Sequence, residues 1–124
     1  METQPALIAH WPLAGNANDT IGEHHGLADA LTYTTGPDGQ ANKAAEFDGR
    51  RSRVCVEDHP DLRLGSDDFT CAVWIRAQAP MTHVFGDILS KFDPVGRSGL
   101  NLHVAGSSPA YSAMSDQRHI HVGI

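Results

Sequence analysis

The sequence predicts an all-β protein, a sandwich or barrel of short antiparallel strands. Three observations carry that prediction. Helical periodicity is nearly absent: no stretch repeats apolar residues at i, i+3, i+4 and i+7 over three turns. Short apolar runs alternate with turn clusters at a spacing of about 8–12 residues, as in sandwiches and barrels. In "FTCAVWIRA" (69–77), Phe69, Cys71, Val73 and Ile75 share one face, and Thr70, Ala72, Trp74 and Arg76 share the other.

The elements follow in order. "ALIAHWPL" (6–13) is the first apolar run, and "GNANDTIGEHHG" (15–26) is a loop rich in Asn, Asp and Gly. "LADALTYTT" (27–35) reads as a short strand, ended by the turn residues of "GPDGQ" (36–40). "KAAEFDG" (43–49) passes through an Asp-Gly turn and three arginines into "SRVCVED" (52–58). There Val54 and Val56 point one way and Arg53, Cys55 and Glu57 the other, the pattern of a half-buried strand. "HPDLRLGSDD" (59–68) is a further loop. "FTCAVWIRA" carries bulk on both faces through Phe69 and Trp74, so it is expected to be a central strand with Trp74 in the core. "HVFGDILSKFD" (83–93) and "SGLNLHVAG" (98–106) pair as a hairpin around "DPVGR" (93–97), and "YSAMS" (111–115) and "HIHVGI" (119–124) close the chain. No repeat, low-complexity segment or linker interrupts it, so residues 1–124 are expected to form a single domain.

Length and charge narrow the function classes. A chain of 124 residues is long enough to bury a core without metal or disulfide staples. A formal charge of −6 argues against nucleic acid, because no basic field collects phosphates. It also leaves no polybasic segment for a membrane surface. No apolar run approaches the roughly 20 residues of a membrane span, so membrane insertion is not expected. "METQPALIAHWPL" lacks the basic start and continuous apolar core of a secretory signal, and the compartment stays open. Cys55 and Cys71 show no CxxC spacing and hence no metal signature. Free thiols are the default expectation for them, since a bridge needs Cα atoms within about 7 Å.

The order of these elements resembles a known family. "LIAHWPLAGNANDTIGEHHG" is similar to the opening of laminin G-like, concanavalin A-like jelly-roll domains: an apolar strand bearing a Trp, then a Gly/Asp/Asn loop closed by a Gly, here Gly26. "AAEFDGRRSRVCVED" resembles the family's Phe-Asp-Gly segment and alternating strand. "LRLGSDDFTCAVWIRA" resembles its Phe-Thr strand with an inward Trp, and "GDILSKFD" the strand that follows. The resemblance covers about residues 7–105. It implies an antiparallel β-sandwich of jelly-roll type. Because family domains usually run longer, it also implies a sandwich incomplete at the C-terminal end, with open strand edges through which the chain self-associates.

The same resemblance implies a non-catalytic binding module within a larger protein, with carbohydrate as the ligand class and Ca²⁺ as a cofactor. The alternative is a protein-interaction or architectural module without a small ligand. Asn16, Asn18, Asp19 and Asp48 are the candidate Ca²⁺ ligands, since Ca²⁺ takes six to eight oxygens. Their competing role is to hydrogen-bond their own backbone in turns. Arg50, Arg51 and Arg53 are candidates for an acidic ligand such as a sulfated glycan. Against that stands a solvated hairpin tip, offset by Glu57 and Asp58. Trp11 is a candidate stacking surface for a sugar ring, against a place in the core. The eight histidines include His24–His25 and the strand pair His119 and His121, but nothing in the spacing forces these groups together, and surface positions are expected. An enzyme is not expected. No strand carries the facing carboxylates that glycoside cleavage needs, and there is no nucleophile elbow or phosphate-binding loop.

Overall fold

The computed structural model describes residues 6–76, 87–93, 95–96, 98–105 and 119–123. The chain falls into two compact units, Met1–Trp74 and Ile75–Ile124. The described elements are strands in small antiparallel sheets plus one turn of 3-10 helix, so the class is all-β as expected.

The first unit contains β1 (Leu27–Asp29), β2 (Thr32–Thr34), β3 (Ala44–Glu46) and β4 (Arg53–Cys55). β2 pairs with β3 and β1 with β4, so the two ribbons are successive stretches of one interrupted hairpin. Its tip is the "GPDGQ" turn. The Gly36 N–H donates to the Gln40 carbonyl at 2.9 Å, and the Lys43 N–H donates to the Thr34 carbonyl at 2.9 Å. Gly39 sits at φ +82°, where any Cβ is strained.

The interruption is a finding that alternation does not predict. Residues 27–35 read as one strand, yet Ala30 takes φ 53° and ends β1. Across from it, residues 47–52 leave the second arm as an excursion. The Ser52 hydroxyl ties that excursion back by donating to the Ala30 carbonyl at 2.6 Å. The arginine-rich stretch is therefore not a hairpin tip. It is an outgrowth on one arm, and the tip lies at residues 35–43. The predicted alternation of "SRVCVED" holds in β4, where Val54 is half-buried and Arg53 and Cys55 are exposed.

Two expected strands are absent from the described residues. "ALIAHWPL" forms none, because both backbone groups of His10 bond to the neighbouring loop. Its N–H donates to Asp19 Oδ1 at 2.9 Å, and its carbonyl accepts the Thr20 N–H at 2.9 Å. Residues 68–76 also form no strand, and Trp74, expected in the core, is 88% exposed. Alternation states only which residues share a face once a partner edge exists, and no described strand pairs with this run.

The second unit holds β5 (Asp87–Asp93), β6 (Ser98–Ala105) and β7 (His119–Gly123), an antiparallel meander in the order β5-β6-β7. The predicted hairpin around "DPVGR" is there, with Asp93 opposite Ser98 and a register shift between Asp87 and Leu89. Asp93 Oδ1 accepts the Val95 N–H at 2.9 Å in the turn. Gly99 lies at φ +122°, and a Cβ there would strike the Lys91 carbonyl, so only glycine fits this close approach. Leu100, on the central strand, is buried at 7% exposure. "YSAMS" lies outside the described residues.

Candidate functional site

Two aspartates organise the loops of the first unit. Asp19 is 4% exposed. Its Oδ1 accepts the N–H groups of His10 and Ile21, and its Oδ2 those of Gly22 and His24, at 2.9–3.2 Å. Burial opposes its charge, but these four N–H donors stabilise the anion and hold its carboxyl far below the ordinary 3.8. The Asp19 N–H donates to His25 Nδ1 at 3.1 Å, and the Asn18 N–H to Asn16 Oδ1 at 2.9 Å. One side chain thus closes residues 10–24 around itself. Gly26 ends the loop, its N–H donating to the Ala17 carbonyl at 2.8 Å. A Cβ at Gly26 would collide with Val54 Cγ1.

Asp48 repeats the device on an exposed turn. Its Oδ1 accepts the N–H groups of Arg50, Arg51 and Ser52 at 2.8–3.0 Å, and its own N–H donates to Ser52 Oγ at 2.9 Å. Hydrogen bonds from Ser52 and the Arg50 and Arg51 N–H groups push its carboxyl down strongly.

Three of the four expected Ca²⁺ ligands, Asn16, Asp19 and Asp48, are therefore engaged as turn builders. A Ca²⁺ shell draws on six to eight oxygens. Here the Asp19 oxygens, Asp48 Oδ1 and Asn16 Oδ1 already accept backbone N–H groups. With these oxygens taken, the donor set does not fit a Ca²⁺ shell.

The remaining candidates scatter. Arg50 and Arg51 are exposed on the excursion, while Arg53 faces its cross-strand partner, with Nε 3.5 Å from Asp29 Oδ2. Asp58, expected to offset the arginines of residues 50–53, instead meets Arg63 at 2.8 Å. That hydrogen bond and charge raise the Arg63 guanidinium above its ordinary value. Trp11 is half-buried, and its indole N–H donates to the His24 carbonyl at 2.7 Å. Cys55 and Cys71 are free and exposed.

The structure gathers one group that the sequence divides between two loops, His24 in one and His59 and Asp61 in the other. His24 Nε2 and His59 Nδ1 each lie 3.3 Å from Asp61 Oδ2, and the two rings tilt against each other at 4.6 Å. His24 is held by its own backbone, N–H to Asp19 and carbonyl to Trp11. His59 caps the 3-10 turn Pro60–Leu62, its Nδ1 accepting the Asp61 N–H at 3.1 Å. A cleft of about 200 Å³ opens beside them, lined among others by Glu23, His25, Glu57 and Asp58. The tripeptide "HPD" was the available signal: Pro60 starts the turn that sets residues 59 and 61 side by side.

No family model, curated protein or solved structure matches the chain. Among the described residues, no helix is long and apolar enough to cross a membrane.

Proposed function

We propose that the chain is a non-catalytic binding module of the laminin G-like, concanavalin A-like jelly-roll class, and that its ligand is carbohydrate. The observation that carries this reading is Trp74. It is 88% exposed. A bare aromatic face is what the apolar C–H face of a sugar ring stacks on. The four family-like segments in order support the same class. The test is a calorimetric titration of neutral and sulfated oligosaccharides into the 124-residue chain. One sugar class is expected to bind, and Trp74→Ala to weaken it at least about tenfold, roughly 1.4 kcal/mol. Binding that survives Trp74→Ala, or no binding across both sugar classes, removes the reading.

A second reading has its own observation. Phe69, Val73 and Ile75 are exposed in the same run. An apolar-rich segment outside the described sheets suits addition to the edge of a partner protein's sheet. In that case Val73 and Ile75 substitutions weaken association as much as Trp74→Ala does.

A further inference from the structure

We propose that His24, His59 and Asp61 form a binding site for a divalent transition ion of the Zn²⁺ type. The distances suit it. Zinc holds nitrogen and oxygen ligands at about 2.0–2.2 Å in a tetrahedron, which sets neighbouring ligand atoms about 3.3–3.5 Å apart. Two of the three edges of this triangle measure 3.3 Å, and one ligand atom from each residue lies within 4.8 Å of the others.

The local chemistry adds a second argument. His59 Nδ1 accepts the Asp61 N–H at 3.1 Å with its one in-plane lone pair. The same atom faces an Asp61 carboxylate oxygen at 3.3 Å, an approach that a cation between them, a proton or a metal ion, makes favourable. An ion that displaces the Asp61 N–H from Nδ1 releases it on an exposed turn, where water accepts it.

The ligand types select the ion. Imidazole suits zinc, copper and nickel, whereas Ca²⁺ and Mg²⁺ are taken by oxygen sets. Glu23 and Glu57 line the adjoining cleft and favour cations there. The backbone that carries the three donors is set before any ion arrives. His24 is fixed through both its backbone groups, and His59 and Asp61 sit on the proline-started turn. Asp61 is more than half exposed, so the side of the site away from the protein is open to water or to an incoming ligand atom.

The site is independent of the carbohydrate reading and is tested without a sugar. Zn²⁺ is titrated into the full chain by calorimetry, with ring signals of the histidines followed by NMR. One equivalent is expected to bind, shifting the rings of His24 and His59, with no response to Ca²⁺. His59→Asn keeps an acceptor for the helix cap and removes the imidazole. Loss of an outer-shell partner already costs metal sites about 10–100-fold, so this variant is expected to bind at least tenfold more weakly. His103→Ala, in the second unit, leaves the affinity unchanged. If His59→Asn does not fold, Asp61→Asn reads the same loss. No zinc binding by the folded chain overturns the proposal. So does undiminished binding by His59→Asn or, where that variant does not fold, by Asp61→Asn.

Discussion

Residues 8–26 and residues 68–76 each contain an apolar run expected as a strand, and they end differently. The first segment contains no strand, yet its backbone is gathered on Asp19, which takes four N–H groups into one buried carboxylate. The second has a better strand pattern than any other part of the chain, yet it forms no strand and leaves Phe69, Val73, Trp74 and Ile75 exposed. A side chain that bonds the backbone a few residues away closes its own structure, because the loop entropy is small. A strand closes nothing until a distant edge is delivered to it. The contrast separates local order, which the sequence writes in one place, from order that needs a second place.

Variants can break this contrast. The largest effect is expected from Asp19→Ala, which leaves four N–H groups without their acceptor in the most buried polar position described. Thermal unfolding should lose its cooperative transition, whereas Asp48→Ala, on an exposed turn, should only lower the midpoint. A parent-like melt of Asp19→Ala would mean that the loop is not held by its carboxylate. Next comes Gly26→Ala, whose methyl meets Val54 Cγ1 and lies 3.0 Å from the Ala17 carbonyl. Overpacking of this kind costs about 1–3 kcal/mol, to be read from denaturant midpoints.

Acid gives a smaller, graded effect. Asp19 and Asp48 both titrate below the ordinary 3.8 in the folded chain. Depressed carboxyls contribute stability that is fully present above the unfolded value. It is lost as pH falls through 3.8 toward the folded values. The midpoint should therefore be flat from neutrality to about pH 5 and decline below it. Asp19→Asn should start lower and decline less, and an equal slope in parent and variant would remove this account. The smallest effect belongs to the other segment. Trp74→Ser should change stability by no more than about 0.5 kcal/mol, as at other exposed positions. A cost several times larger would show that residues 68–76 are packed after all.

Much of the fold was legible. The all-β class, the loop at 15–26, the "GPDGQ" turn and the hairpin around "DPVGR" all rest on turn residues whose chemistry acts within a few positions. The break at Ala30 was not legible, because alanine carries no signal for a positive φ. The Ser52 hydroxyl that meets its carbonyl comes from 22 residues away. The fate of "FTCAVWIRA" was hidden for the reason given above. At the level of sites, Asp19 and Asp48 were visible as loop acids, and the structure engages both in turn building. His24 was visible, but its partners were not. The contacts with His59 and Asp61 span 35 and 37 residues and two loops, and spacing does not report such meetings.

The two tryptophans stand at opposite ends of this range, and the difference is optical. Trp11 ties its indole proton to the His24 carbonyl, while Trp74 turns its ring to water. Their emission should therefore divide into a shorter-wavelength component shielded from acrylamide and a longer-wavelength one that it quenches freely. Because the Trp11 bond ends on a residue of the histidine cluster, the shielded component reports on that corner. The quenched one reports on whatever comes to cover Trp74. One spectrum of the unlabelled chain follows both faces at once.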